Sequence, residues 1–430
     1  MAGNRRRRAN RVSIGACLSI FIALSSCFAD TPDIGLPVAA TPEVSGFSTK
    51  RLLRVESYLH HAIDAGEYAG AVWLVARDGK VIQHGTVGYR DIAAHAPMTE
   101  DTVFAIASMT KLITTTVALS LLEEGRFNLD DPIALYLPKL AKLQVLVGGT
   151  ADVPQLTPAV RPVTIRHLLT QTSGFSYGFF DGEPLRTLHE RAQLWESRSL
   201  EEFVVKAAKL PLKHQPGEAW TYGINTDLLG ALIERLTGRT LGEVMQERVF
   251  DPLGMKDTGF LPPKDSAARL AKTYDRKPGE PLTEDPQPMN PLQAQGTFVS
   301  GGGGLFSTLH DYARFAQMLL NGGELEGARV LGRKTMELMT SNQVNYLNPR
   351  PRDRFVPPGF GFGVRVRLES QQADMLGSPG AFGWEGIRTT YVSIDPHERM
   401  VLILLLQHQP YDDGGVFEKF TNTVYQALEK

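Results

Sequence analysis

Ser108 and Lys111 stand three residues apart in "FAIASMTKLITTT", at the start of a strongly apolar run. On a helix this spacing puts both side chains on one face, about a turn apart, so the amine can reach the hydroxyl. An amine takes a proton from serine only while it is neutral. Burial among apolar side chains disfavours an ammonium, and the positive end of a helix dipole does the same. The free N–H groups of a first helical turn can bind a developing oxyanion, which makes the Ser108 backbone a candidate donor. The chemistry implied is acyl transfer to the Ser108 hydroxyl with Lys111 as general base. Taken alone, the tetrad reads more readily as a capping serine beside a solvated lysine.

A second serine competes. Residues 174–178 read "GFSYG", which matches the G-x-S-x-G pattern of a nucleophile elbow around Ser176. Such an elbow needs a strand before the serine and a helix straight after it, because the strained turn exposes the hydroxyl. Ser176 has the reverse context: a helical pattern precedes it, and "YGFFDGEP" follows. His214, His310 and His397 are the candidate triad partners, with nothing to favour any one. The expected reading of Ser176 is a glycine-rich loop. His60 and His61 are adjacent on a predicted helix and point about 100° apart, poor geometry for a shared metal. No H-E-x-x-H or similar spacing occurs.

Two further stretches can complete a site around Ser108. "PGEAWTYGINTDLLGALIE" places Tyr222 just before a helix, and a phenol held near a cation can shuttle a proton. "GSPGAFGWEGIRTTYVSIDP" joins a glycine-rich turn to a strand, whose edge can offer the Ile387 backbone N–H opposite Ser108. A core tyrosine and an ordinary turn are the alternatives.

The elements that must position these groups follow from periodicity. "STKRLLRVESYLHHAIDAGEYAG" reads as a helix capped by Ser48 and closed near Gly66. "GAVWLVARDGKVIQHGTVGYRD" reads as a hairpin about "RDGK". The middle of the chain is mostly helical: the run after Ser108 to Gly125, "TIRHLLTQTSG" capped by Thr164, "RSLEEFVVKAAKL", "TDLLGALIERLTG" and "TLHDYARFAQMLLNGG". "GFGVRV", "IRTTYVSIDP" and "RMVLILLLQHQ" read as strands, the last buried on both faces. "GVFEKFTNTVYQALEK" closes the chain as an amphipathic helix. Strands at both ends with helices between predict one discontinuous α/β lobe holding an inserted helical lobe.

The chain has 430 residues, ample for such an arrangement, and a formal net charge of -2 gives no reason to expect nucleic-acid binding. "MAGNRRRRANRV" followed by the short apolar "SIGACLSIFIAL" reads as an export signal over residues 1–29. "CFA" before Asp30 resembles a cleavage site, and "LSSC" resembles a bacterial lipobox that would lipidate Cys27 and anchor the protein. An uncleaved anchor is the third option. Removal of residues 1–29 takes five arginines from the 45 Lys+Arg and nothing from the 47 Asp+Glu, a balance of about -7. Both cysteines, Cys17 and Cys27, lie in this leader, which excludes a disulfide, a cysteine metal site or a catalytic thiol from the folded part. Residues 30–47, rich in Pro and Gly, read as an exposed lead-in.

At Ser108, Tyr222 and the third stretch the sequence resembles the serine β-lactamase and penicillin-binding-protein-like family, and more narrowly the family VIII carboxylesterases and class C-like hydrolases. The resemblance runs from about "RLLRVESYL" to "TVYQALEK". Its specific stretches include "PMTEDTVFAIASMTKLITTTVALSLLEEGRFNLDDPIALYLP", "IRHLLTQTSGF", "WTYGINTDLLG", "GGGGLFSTLHDYARFAQMLLNGGEL" and "GWEG". It implies Ser108 as nucleophile, Lys111 as general base and Tyr222 as partner acid or base. Trp384, Glu385 and Gly386 would occupy the third-motif position at the substrate. The implied α/β (α+β) fold is β-lactamase-like, a mainly antiparallel sheet flanked by terminal helices. Its serine hydrolase domain would span 48–430, with an α/β lobe at about 48–107 and 300–430 and a helical lobe at about 108–299. The family needs no metal and no cofactor.

Two departures refine the expectation. β-Lactamases and D-Ala-D-Ala peptidases usually start the third motif with Lys or His, which helps bind a substrate carboxylate. Here it starts with Trp384, as in many of the esterases, and Glu385 adds a negative charge, while Arg388 is a cation without an assigned place. In "YGIN" the asparagine, Asn225, stands three residues after Tyr222 rather than two, so no role is carried to it. The first expectation is therefore an exported serine hydrolase, periplasmic or secreted, acting on small or medium acyl esters. A β-lactamase or D-amino-acid peptidase acting on cell-wall peptides is the second. A catalytically silent cell-wall-binding protein is a third, which the intact Ser108, Lys111 and Tyr222 argue against.

Overall fold

The computed structural model describes residues 1–3, 34–263, 266–285, 298–347, 356–369 and 375–430. Residues 34–430 belong to one compact unit. Residues 4–29 of the expected export signal, Cys27 among them, lie outside the described residues.

The helix predicted from Ser48 runs Thr49–Asp64 (α1), with Leu52, Val55, Leu59 and Ala62 on its buried face. The hairpin follows: Gly70–Arg77 (β1) pairs antiparallel with Lys80–Asp91 (β2). Its two turn residues, Asp78 and Gly79, have φ of 53° and 74°. Two left-handed residues make the turn whose twist matches a right-handed hairpin, and Asp-Gly supplies them at low cost. Ala96–Pro97 (β3) adds a short edge strand.

After an excursion of more than two hundred residues the chain returns to this sheet. Arg365–Val366 (β4), Phe382–Gly386 (β5), Thr390–Asp395 (β6) and Met400–Leu405 (β7) complete it in the order β4-β5-β6-β7-β1-β2-β3, every neighbouring pair antiparallel. All six residues of β7 are buried, as the unbroken apolar run predicts. Alternation along the strands divides the interior. Val72, Leu74, Val392, Val401 and Ile403 face the inserted helices and share one large core with them. Trp73, Val75, Tyr391, Leu402 and Leu404 face α1 and the closing helix Val416–Tyr425, with Phe417, Phe420 and Val424. This is the expected sheet with terminal helices on one side and the helical insert on the other.

Within the insert, Thr110–Glu123 (the helix after Ser108) is buried from Thr110 to Leu121, and Asn225–Thr237 packs against it. Thr164 caps its predicted helix by accepting from the His167 amide. A hairpin, Gln144–Gly149 with Pro154–Pro158, interrupts what the sequence presents as mostly helical. The lead-in is a correction. Ile34, Leu36 and Phe47 are buried, and Val81 exchanges backbone hydrogen bonds of 2.8 Å with Pro37 and Ala39. The correction is partial: these three apolar side chains find the core, while Pro37, Val38, Glu43 and Val44 between them stay exposed as expected. Among the described residues no helix is long and apolar enough to cross a membrane.

Candidate active site

Ser108 sits in a 3-10 turn, Ala107–Met109, that leads into the Thr110–Glu123 helix. The residue before it, Ala107, has φ of 45°, a left-handed conformation that a side chain adopts only when its surroundings impose it. Those surroundings are the end of β5. A Cβ on Gly386 would lie 2.5 Å from the Ile106 carbonyl oxygen and 3.3 Å from Ala107 Cβ, so only glycine allows the strand this close. Thr390 Oγ1 adds a hydrogen bond of 3.1 Å to the same Ile106 carbonyl. Ile387 therefore follows directly on the strand end that abuts the Ser108 turn. No hydrogen bond engages its amide among the described residues.

Lys111 is 2% exposed. Its Nζ lies 3.2 Å from Ser108 Oγ and donates to Tyr177 OH at 2.9 Å and to the Gly302 carbonyl. A neutral amine has two N–H donors and one lone pair, so Tyr177 and Gly302 can take the donors while the lone pair faces Ser108. That is the arrangement a general base requires.

Tyr177 is the residue that sequence reasoning passed over. It belongs to "GFSYG", the stretch considered only for its serine. Burial, followed by the nearby Tyr222 and Asp227, holds its phenol well above the ordinary value, so it stays protonated. Tyr222 meets Lys111 differently: the amine lies 4.8 Å from the Tyr222 ring centroid, over its face. The Tyr222 hydroxyl accepts a hydrogen bond from Trp384 Nε1 at 3.2 Å. The two tyrosine rings are 5.2 Å apart, and Phe179, Trp195, Trp220 and Trp384 continue the aromatic wall around them.

The third motif divides between the two sheet faces. Trp384 turns toward the site, opposite Val392, whereas Glu385 stands opposite Tyr391 on the side of the terminal helices. Glu385 is buried there in an ion pair with Arg365. The expectation that Glu385 contacts substrate is thus corrected, because strand alternation sends its carboxylate through the sheet. Arg388 is also placed: it pairs with Asp285 at 2.6 Å, both largely buried.

Asn225 accepts from Ser173 and donates to Gln171 Oε1 at 2.6 Å, bracing the loop that carries Tyr177. Ser176 is buried and contacts His189 Nε2 at 3.3 Å. His214, His310 and His397 bond elsewhere, to Thr221, Asp311 and Glu398. Burial pushes His189 down to about 4. Its Nδ1 has no partner among the described residues, since the Asp181 carboxylate bonds Lys213 and the Gly178 amide instead. Nothing orients this histidine as a base, and the strand–turn–helix context of an elbow is missing around Ser176. Among the described residues no group of three or more His, Cys, Asp or Glu could hold a metal ion.

A buried lysine bonded to a half-buried serine, beside a large antiparallel sheet with helices on both faces, defines a serine hydrolase of β-lactamase-like fold. The chain belongs to the beta-lactamase family, whose family model matches residues 55–420. A lovastatin esterase of Penicillium rubens is 38% identical over 352 residues, 76% of this chain and 84% of that protein. Esterase EstB of Burkholderia gladioli is 32% identical over 282 residues, 61% of this chain and 68% of that one. The solved structure of EstCE1, described as a hydrolase with promiscuous acyltransferase activity, superposes with a TM-score of 0.74 at 26% identity, covering 87% of this chain and 99% of that one.

Proposed function

We propose that this protein hydrolyses carboxylic esters of small or medium acyl chains through an acyl-enzyme on Ser108. Lys111 takes the Ser108 proton as Oγ attacks the ester carbonyl carbon, and the electron pair moves onto the carbonyl oxygen. The Ser108 and Ile387 amides receive that oxyanion. As it collapses, the bond to the alcohol oxygen breaks, and Tyr222 and Lys111 return a proton to the leaving alcohol. Water then gives a proton to the same pair as it attacks the acyl-Ser108 carbonyl carbon, the bond to Oγ breaks as the acid leaves, and the pair returns the proton to Ser108.

The observation that carries the ester reading is the neutral start of the third motif. Trp384 presents an indole N–H to Tyr222, and both nearby arginines, Arg365 and Arg388, are already paired with carboxylates. A β-lactam or a cell-wall peptide brings a carboxylate that needs a cation. The aromatic wall suits an uncharged acyl or alkoxy group instead, and the esterase relatives agree with it. The Ser108–Lys111 hydrogen bond also disfavours a silent binding role.

The basic and apolar leader supports export to the periplasm or beyond, with cleavage before Asp30 or lipidation of Cys27 as the processing routes. Hydrolysis of p-nitrophenyl butyrate and of a chromogenic cephalosporin by wild type, Ser108→Ala and Ser176→Ala tests the catalytic reading. Ester turnover that only Ser108→Ala abolishes supports it. Faster cephalosporin than ester turnover would replace it with a β-lactamase.

A further inference from the structure

Asp227, in the first turn of the Asn225–Thr237 helix, is fully buried directly behind Lys111. Its Oδ1 accepts from Ser300 Oγ at 2.6 Å and from the Gly302 amide at 3.1 Å. The Gly302 carbonyl in turn accepts from Lys111 Nζ. One residue of the glycine loop thus joins carboxylate and amine, taking a hydrogen bond from the lysine and giving one to the aspartate. The other oxygen, Oδ2, is buried with no partner among the described residues. A Cβ on Gly302 would lie 2.6 Å from Oδ2 and 3.0 Å from Tyr177 OH, so both flank the same small gap beside the lysine.

A buried carboxylate that keeps one oxygen unbonded is costly, and a cation formed beside it relieves that cost. Of the groups that face Lys111, Ser108, Tyr177 and Tyr222 are hydroxyl-bearing, and Asp227 is the acid. Burial raises Asp227 above the ordinary carboxylate value, and the Coulomb attraction of Lys111 is the largest influence opposing that rise. The helix N-terminus favours negative charge at the same position.

We propose that Asp227 is a positioning residue that, through Gly302, fixes Lys111 and supplies the counter-charge for the ammonium formed there during acylation. This rests on the Ser108–Lys111 reading above. When Lys111 Nζ takes the Ser108 proton, a positive charge appears in a site that excludes water. The fixed carboxylate stabilises it without moving, as the acid of a serine–histidine–aspartate triad does for an imidazolium.

The test is kcat/KM for p-nitrophenyl butyrate between pH 5 and 9, with Asp227→Asn and Ser108→Ala beside wild type. Asparagine can keep both acceptor bonds at Oδ1 while it removes the charge and places an NH2 group where Oδ2 stands. The expected result is a plateau lower by roughly 10- to 100-fold and an acid limb moved to lower pH by about one unit, because the ammonium loses its partner. A plateau reduced with the acid limb unmoved, or no change at all, overturns the proposal. Should Asp227→Asn fail to fold, Ser300→Ala decides: it removes a bond that holds Asp227 in its charged form, so the plateau falls and the acid limb moves, and an unmoved limb overturns the assignment. Activity surviving in Ser108→Ala would sink the serine mechanism itself, and the Asp227 role with it.

Discussion

The Trp384 indole donates to the Tyr222 hydroxyl at 3.2 Å, so the residue that opens the third motif acts on the site through a tyrosine. The bond fixes which way the Tyr222 oxygen points while leaving its own proton free to move. Trp384→Phe keeps the ring packing and removes the donor. One net hydrogen bond is worth ~1 kcal/mol, so kcat/KM for p-nitrophenyl butyrate should fall about five- to tenfold with little change in thermal stability. A variant as active as wild type would mean that ring packing alone orients Tyr222.

The two tyrosines make separable contributions. Tyr177 accepts a hydrogen bond from Lys111, whereas Tyr222 offers the amine its ring face. Tyr222→Phe retains that face and loses the hydroxyl, so it should lose the proton-transfer part of kcat, about 100-fold or more, with a smaller stability cost from the part-buried Trp384 N–H left unpaired. Tyr177→Phe leaves a buried amine N–H without its acceptor and should cost both activity and folding stability, about 1–3 kcal/mol of the latter. Steady-state kinetics and thermal melts of the pair distinguish these outcomes; equal melting losses would contradict them.

Glu385 belongs to stability rather than to substrate. Glu385→Gln leaves the Arg365 guanidinium without its counter-charge between the sheet and the closing helix. We expect a loss of about 1–3 kcal/mol, less than for a wholly enclosed pair because Arg365 keeps some contact with water. The kcat/KM of the folded variant should remain within about threefold of wild type, since side chains on opposite sheet faces do not share partners. A selective rise in KM at unchanged stability would return Glu385 to the substrate.

Acid should weaken the fold through its buried histidines. Burial pushes His167, His189 and His408 each down to about 4, although nearby carboxylates pull part of the way back. In the unfolded chain they titrate near ~6.5, so below that pH the unfolded state binds protons that the native state refuses. The depressed folded values mean that stability is fully present above about 6.5 and is lost as pH falls toward about 4. Melting temperatures should be level from pH 8 to 7 and fall steadily from pH 6.5 to 4.5. A level profile through pH 5 would show that these rings accept protons in the folded state.

The helices and strands that carry the site are legible in the sequence because their signals are local. Helical spacing joins Ser108 to Lys111, Asp-Gly closes the β1–β2 hairpin, and an unbroken apolar run marks β7. The side chains that complete the site come from loops separated by tens to hundreds of residues. Tyr177 meets Lys111 across 66 positions and Gly302 across 191. No periodicity records such a meeting. Glu385 misleads for the opposite reason: its neighbours in sequence are at the site, but pleating sends alternate side chains to opposite faces. The lead-in misleads because its composition signals turns while Ile34, Leu36 and Phe47 do the packing.

The aromatic wall gives the protein an optical reporter of its own. Of its four tryptophans, Trp195, Trp220 and Trp384 each contact Tyr177 or Tyr222, while Trp73 is buried on the far face of the sheet. Emission from the first three will answer to whatever occupies the space above Ser108, against a constant background from the fourth. Acylation and deacylation can then be followed in real time without a chromogenic ester, on substrates chosen for their shape alone.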